Sequence, residues 1–132
     1  MKNIINRYSL TGEFILQGIL NVESGGQSTR LTYTDSEIEE FSNELYHPII
    51  ALESLRKILE TKHQSFINCN GCRIDSAYRE TGGWGTYILT YGKQATESVN
   101  LFDSTDEITK LCTVDSHKAA YKVWLGSLGN KK

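Results

Sequence analysis

The stretch NELYHPIIALESLRKILETKH, from Asn43 to His63, decides the fold of this chain. Its apolar residues recur at spacings of three and four positions, which predicts one apolar stripe along a helix of about four turns. The stripe consists of Ile49, Ala51, Leu52, Leu55, Ile58 and Leu59. Pro48 suits the first turn of such a helix, where a missing N–H leaves no hydrogen bond unmade. Lys62 and His63 suit its carboxyl end, where cations complement the helix dipole. We expect the chain after this helix to form sheet packed against it.

The composition is that of a globular protein. The chain has 132 residues, of which 39% are hydrophobic and 23% charged, with a single proline. At this length roughly two-thirds of the unfolded surface is buried on folding, which is enough for a self-sufficient core. The formal net charge of −2 argues against a nucleic-acid-binding surface, because such surfaces belong to basic domains. We expect one domain, residues 1–132, without direct nucleic-acid contact.

The amino-terminal segment MKNIINRYSLTGEFILQG has no secretory pattern, because Asn6, Arg7 and Glu13 interrupt its apolar residues. No apolar run approaches the length of a membrane span. Three cysteines, an odd number, favour reduced thiols in the absence of an export signal. We therefore expect a cytoplasmic, bacterial-type protein that does not contact a membrane.

The segment before the central helix predicts two strands and an acidic helix. Glu13 to Val22 and Arg30 to Tyr33 are predicted as strands, separated by the break at Gly25-Gly26. Thr34-Asp35-Ser36-Glu37 has the form of a capping box, in which the Thr34 and Glu37 side chains satisfy each other's backbone amides. The predicted helix after it carries Ile38, Phe41 and Leu45 on one face. Its five acidic residues are Asp35, Glu37, Glu39, Glu40 and Glu44.

Two backbone signals mark the limits of the central helix. Because a residue before proline is pushed out of the α region, His47-Pro48 predicts a kink between the acidic helix and the central one. After the central helix, Asn70-Gly71 suits the left-handed positions of a type I′ turn, which predicts a tight hairpin. The register of that hairpin would set Cys69 against Cys72 and Ile67 against Ile74.

The remaining sequence predicts further antiparallel strands and a last helix. We expect a strand through Tyr78, a turn near residues 81–83, a strand from Trp84 to Tyr91, a turn at Gly92-Lys93 and a strand from Ala95 to Phe102. Asp115 or Ser116 would cap a final helix. Its predicted packed face consists of Ala119, Ala120, Val123, Trp124 and Leu128. The expected fold is therefore α+β, an antiparallel meander of about four to six strands against a kinked helix pair and a C-terminal helix.

The cysteines offer a metal-site hypothesis that we rank below a structural one. Cys69, Cys72, Cys112 and His117 are the ligand types of a Cys₃His zinc site. The second half of this pattern, Cys112-x₄-His117, is loosely spaced, and the hairpin already explains Asn70-Gly71. A redox role is disfavoured because that motif opens a helix after a strand. We expect buried thiols and no metal or other cofactor.

No catalytic constellation stands out in the sequence. His47 is interpreted as a residue at the entry of the central helix and His63 as one that serves its end. No Ser or Cys near a histidine has a nucleophile-elbow context. Gly82-Gly83-Trp84-Gly85 lacks the lysine and the following helix of a phosphate-binding loop. We expect a binding protein rather than an enzyme.

Two surface features favour protein recognition: the acidic helix, and a sheet face or edge with interleaved charged and aromatic residues. Trp, Tyr and Arg supply most of the binding energy at protein interfaces. The predicted partner-binding residues are Glu37, Glu39, Glu40, Glu44, Arg73, Asp75, Tyr78, Arg79 and Trp84.

A family resemblance sharpens this hypothesis. HPIIALESLRKILE followed by INCNGCRIDSAYRETGGWGTYILTYGKQATESVNLFD resembles small bacterial proteins with the patterns HP-x-x-AL-x-x-LR-x-x-LE, NG-x-R-x-D and Y-x-x-x-x-G-K-x-A. The matching residues are His47, Pro48, Ala51, Leu52, Leu55, Arg56, Leu59, Glu60, Asn70, Gly71, Arg73, Asp75, Tyr87, Gly92, Lys93 and Ala95. On these residues the chain resembles the immunity proteins of contact-dependent growth inhibition and related polymorphic toxin systems.

The resemblance implies an immunity protein, an antitoxin that binds the C-terminal domain of a cognate toxin and occludes its active site or substrate surface. If that toxin is a nuclease, acidic groups suit the task, because a nuclease presents Lys and Arg to phosphate. The acidic candidates are Glu37, Glu39, Glu40, Glu44 and Asp75. Two alternatives stay open: a small hydrolase or nuclease that uses His47 or His63 with Asp75, and a bacterial adaptor domain.

Overall fold

A five-stranded antiparallel sheet forms the amino-terminal part of the fold. The computed structural model describes residues 1–25, 28–42, 47–78 and 84–129. The strands of the sheet are β1 (Lys2–Ser9), β2 (Phe14–Gly25), β3 (Ser28–Thr34), β4 (Glu39–Phe41) and β5 (Ser65–Ile67), in the spatial order β4-β3-β2-β1-β5. The two strands predicted before Thr34 are confirmed as β2 and β3, and β1 is an additional strand.

One face of this sheet supplies much of the core. Side chains alternate between faces along a strand, so Ile5 of β1 and Leu20 of β2 are fully buried while Ile4 and Ile19 point the opposite way. The inner face also carries Tyr33, whose ring packs directly over Gly18 and leaves no room there for a Cβ. The inner face of the sheet is therefore buried, and outer-face side chains such as Ile4 and Ile19 are exposed.

The central helix is confirmed as α1 (Pro48–His63), which packs on the inner face of the sheet. Pro48 is its first residue, His47 is the extended N-cap, and Gln64 ends it in the left-handed region with φ 44°. Leu52, Leu55 and Leu59 are fully buried. Burial of such side chains stabilises the fold by about 1.5–3 kcal/mol each.

The acidic helix predicted from Thr34 is wrong where the structure describes it. Asp35 Oδ1 accepts hydrogen bonds from the backbone N–H groups of Glu37 at 2.8 Å and Ile38 at 3.0 Å, and the Asp35 N–H donates to Ile38 O. These bonds close a tight turn between β3 and β4, so residues 39–41 pair as an edge strand. The predicted kinked helix pair is thereby reduced to α1 alone among the described residues; 43–46 lie outside them.

The predicted Asn70-Gly71 hairpin is also wrong. Asn70–Cys72 form a buried 3₁₀ turn, and no residue in it has a positive φ. The Asn70 N–H donates to Asp103 O at 2.8 Å, and the Gly71 N–H donates to Leu101 O at 3.0 Å. Pairing with a segment about 30 residues away therefore replaces the local ladder. Cys69 forms an isolated bridge with Ser104 instead of facing Cys72, and Arg73 forms another with Leu111.

The later strands of the predicted meander are confirmed with shorter bounds. They are β6 (Ser76–Tyr78), β7 (Gly85–Ile88) and β8 (Glu97–Asn100), an antiparallel sheet in the order β6-β7-β8. Gly92, with φ +76°, provides the left-handed residue in the turn between β7 and β8. The turn predicted near residues 81–83 lies outside the described residues. The α+β class is thus confirmed, with two sheets in place of a single meander.

The final helix is confirmed as α2 (Val114–Gly129), with a different cap and a different packed face. Thr113 Oγ1 accepts from Ser116 N–H at 3.2 Å, and a Glu60 carboxylate oxygen accepts from Val114 N–H at 3.1 Å. Thr113 rather than Asp115 or Ser116 is therefore the capping side chain. Val123, placed on the packed face by the prediction, is 61% exposed. Neither α1 nor α2, as far as the chain is described, has the length and hydropathy needed to cross a bilayer.

Candidate functional site

The acidic residues predicted to bind a partner lie on two sides of the five-stranded sheet. Glu37 is exposed in the β3–β4 turn, and Glu39 is exposed on β4 beside Thr34, whose hydroxyl donates to it at 3.3 Å. Glu40 points the other way and shares a 2.7 Å hydrogen bond with His63 Nε2. Glu44 falls outside the described residues. Glu39 is therefore available at the surface, whereas the exposed Glu37 accepts from the buried Arg7 at 3.0 Å and Glu40 is engaged against the end of α1.

The charged residues of the predicted sheet-face site form ion pairs with described neighbours. Arg73 donates to both carboxylate oxygens of Asp75, at 2.8 and 2.7 Å, and Lys110 Nζ donates to the same carboxylate at 3.0 Å. Burial alone raises the pKa of Asp75, but the Arg73 and Lys110 hydrogen bonds outweigh it and lower the pKa below its ordinary value. This triad fixes the chain after the 3₁₀ turn and leaves Asp75 only 15% exposed.

The aromatic residues of that predicted site are half-buried. Trp84 packs edge-to-face on Phe102, with ring centroids 5.3 Å apart at 76°. Tyr78 packs against the core and lines a groove beside α2. Arg79 lies outside the described residues. Those predicted partner-binding residues that the structure describes do not form one surface.

An exposed apolar surface that the sequence did not predict lies on the outer face of the five-stranded sheet. We call it the outer-face patch; it consists of Ile4, Phe14, Ile19 and Phe41, which are 64%, 59%, 46% and 48% exposed. Ile4 and Ile19 face each other across β1 and β2. Tyr8 packs edge-to-face on Phe14 at 5.8 Å, and the Arg30 guanidinium lies 4.8 Å from the Phe41 ring centroid. Large contiguous apolar patches mark interaction sites, and the Ile4–Ile19 pair makes this face a candidate for one.

Arg7 anchors the inner face below that patch. It is 5% exposed and donates to Asp35 at 2.8 Å, Glu37 at 3.0 Å and Ser65 Oγ at 3.1 Å. The Tyr33 hydroxyl donates to the same Asp35 oxygen as Arg7, at 2.9 Å. Burial alone raises the pKa of Asp35, but these hydrogen bonds and those from two backbone amides lower it below its ordinary value. The charges of Arg7, Asp35 and Glu37 are paired with one another, which indicates a structural role for this cluster.

A second buried arginine organises the cysteines and His117. Arg56 is 3% exposed and donates to Cys112 O at 2.9 Å and to His117 Nδ1 at 2.9 Å. Because a guanidinium only donates, Nδ1 accepts, and His117 Nε2 carries the proton that it donates to Ser76 O at 2.7 Å. Burial and the Arg56 charge lower the pKa of His117. His117 is therefore a neutral imidazole held at both nitrogens.

The same cluster bears on the zinc hypothesis. Cys112 Sγ lies 3.9 Å from Arg56 Nη2 and 3.8 Å from Cys72 O, and the Cys69 and Cys72 side chains are both buried in the core. Burial raises the pKa of Cys112 to about 11, so this thiol stays protonated at neutral pH. No group of three or more His, Cys, Asp and Glu side chains in the described part of the chain is arranged to hold a metal ion. The Arg56 guanidinium contacts two of the four candidate ligands, Cys112 and His117.

The catalytic alternative does not assemble as proposed. His63 is engaged by Glu40, and Asp75 is engaged by Arg73 and Lys110. His47 lies at the exposed N-cap of α1. The Asp75 carboxylate interacts electrostatically with His117 instead. Both ring nitrogens of His117 already hydrogen-bond, one to Arg56 and the other to the Ser76 carbonyl.

Comparison with protein-family models, with curated proteins and with solved structures returns no match for this chain.

Proposed function

We propose that this chain is an immunity protein that binds the C-terminal domain of a cognate toxin, a nuclease, and blocks it without covalent chemistry. The proposal rests on the sequence resemblance and is carried by one structural observation, the exposure of the outer-face patch on a rigid sheet. Side chains on strands are held by the backbone ladder, so binding through them orders few additional groups.

The patch has the composition of a protein interface. Aromatic side chains and arginine supply most of the binding energy in such interfaces, and both meet where Arg30 lies over Phe41. Ile4 and Ile19 add aliphatic surface in the middle of the sheet. Burial of this apolar area by a partner contributes about 25 cal/mol per Å² before the losses of association are counted.

The charges around the patch favour a basic partner. The exposed charged side chains on and beside the outer face are Lys2, Glu13, Glu23, Arg30, Glu37 and Glu39. Four are acidic and two basic. Glu37 is paired with the buried Arg7, so the other five side chains, three acidic and two basic, carry a net charge of −1. A nuclease presents Lys and Arg to phosphate, so acids at the rim of the patch speed encounter and select that partner.

Co-expression tests the proposal. Cells that produce the C-terminal domain of the toxin encoded immediately upstream should resume growth when this chain is co-produced. His47→Ala and His63→Ala should each protect as well as the wild-type chain, because neither residue belongs to the outer face. Failure of the wild-type chain to protect contradicts the proposal. Loss of protection in His47→Ala, with the fold preserved, would favour a hydrolase instead.

A further inference from the structure

The proposed function does not use a groove that lies on the other side of the molecule from the outer-face patch. It lies between α1, β6 and α2 and has a volume of about 420 Å³. Small-molecule sites in proteins typically have volumes of about 300–1,000 Å³. Its walls combine the Tyr78 and Tyr121 side chains with the aliphatic Ile49. These walls suit a flat apolar body of small-molecule size.

The polar groups of the groove are already arranged by the fold. His117 lines it with its ring fixed between Arg56 and the Ser76 carbonyl. Ser76 Oγ donates to Arg73 O at 2.9 Å and lies 3.3 Å from His117 Nε2. The floor is therefore a rigid, neutral and polar surface, with both imidazole nitrogens occupied.

The charge around the groove is positive. Lys118 and Lys122, one helical turn apart on α2, both line it. The carboxylate that lines it, Glu53, lies 3.6 Å from Lys118 Nζ and is offset by that cation. Behind His117, Arg56 is buried, and no described carboxylate forms an ion pair with its guanidinium. The Arg56 charge is partly offset by Glu60, which interacts with it electrostatically, whereas no described carboxylate forms an ion pair with Lys122. Lys122 therefore leaves an excess of positive charge in the groove.

We propose that this groove binds a small aromatic carboxylate, whose ring lies between Tyr78 and Tyr121 and whose carboxylate meets Lys122. The Lys118–Glu53 pair also lines the groove. This inference does not rest on the proposed function, because the residues that carry it lie apart from the outer-face patch.

Titration with three ring-matched probes tests the inference: benzoate, benzamide and benzylamine, followed by the backbone amide signals of the full chain in NMR spectra. Benzoate should shift the signals of residues 76–78 and 117–122 in a saturable manner. It should bind at least about tenfold more tightly than neutral benzamide, because the attraction of one or two ammonium groups near the surface is of that order. Benzylamine should bind more weakly than either.

Lys122→Glu supplies the decisive variant, because Lys122 is exposed on α2 and its replacement leaves the core untouched. Benzoate affinity should fall at least about tenfold in this variant. Lys2→Glu makes the same charge change on the outer face and should leave the affinity within about twofold, since screening removes distant charge effects. Equal affinity for benzoate and benzamide, signal shifts confined to the outer face, or unchanged benzoate affinity in Lys122→Glu would each overturn the inference.

Discussion

The two faces of the five-stranded sheet carry similar side chains in opposite surroundings. Ile5 and Leu20 are fully buried in the core, whereas their chain neighbours Ile4 and Ile19 are 64% and 46% exposed. The inner pair stabilises the fold by leaving water, and the outer pair contributes little to it. Exposed apolar side chains that do not serve folding are better explained by a partner. The difference separates what holds the molecule together from what we propose it binds with.

The largest expected loss of stability follows from breaking the buried ion pair between Arg7 and Asp35 on the inner face. In Asp35→Ala, Arg7 loses its closest carboxylate while remaining buried, and Tyr33 and the β3–β4 turn lose their acceptor. The free energy of unfolding should fall by about 3–5 kcal/mol. Urea denaturation followed by circular dichroism measures it. A loss below about 1 kcal/mol would mean that the pair behaves as a surface salt bridge.

The next prediction compares the loss of stability caused by substituting two neighbouring residues of β2. Leu20→Ala removes a fully buried side chain of the inner face and should lower the free energy of unfolding by about 2–5 kcal/mol. Ile19→Ala, one residue away on the outer face, should change it by less than about 0.5 kcal/mol. The same denaturation experiment serves both variants, and similar losses would erase the distinction between the faces.

A smaller effect concerns acid stability. The folded-state pKa of Asp35 lies below its ordinary value, since the hydrogen bonds it accepts outweigh burial. Its contribution is complete above the unfolded pKa of about 3.9 and is lost as the pH falls through the folded pKa. The free energy of unfolding of the wild-type chain should therefore drop on acidification below about pH 5 more steeply than that of Asp35→Asn. Parallel pH profiles of the two chains would contradict this assignment.

These results also mark what the sequence could predict. The stripe of α1 depends on local spacing, and all four of its closest-packed members, Ala51, Leu52, Leu55 and Leu59, are buried. Strand β1 escaped prediction because its inward positions include the polar Asn3 and Arg7, which hide the period of two. Arg7 is buried only because Asp35, distant in sequence, neutralises it.

Local signals failed where two structures share the same chemistry. Acids after Thr34 satisfy backbone amides at the start of a helix, and Asp35 does the same for Glu37 and Ile38 in a turn. Asn70-Gly71 suits a hairpin locally, but its amides bond to Asp103 and Leu101. The competing partners lie far along the chain, so no short window reveals them.

The outer-face patch could not be predicted from the sequence, for a related reason. Ile4-Ile5 and Ile19-Leu20 each place an apolar residue on both faces, which removes the alternation that identifies an exposed face. Only the register, which sets Ile4 against Ile19, brings these side chains together. The predicted acidic surface was divided for the opposite reason, because one strand sends Glu39 and Glu40 to different faces.

Substitutions on the outer face should have the smallest effect on stability and the clearest effect on binding. In Ile4→Ser combined with Ile19→Ser, the melting temperature should stay close to that of the wild-type chain, because both side chains already face solvent. The central claim is tested most directly by the affinity of this double variant for the cognate toxin domain, measured by isothermal titration calorimetry. We predict a loss of at least about a hundredfold, as for the core of a protein interface. Wild-type affinity in a folded double variant would contradict the claim.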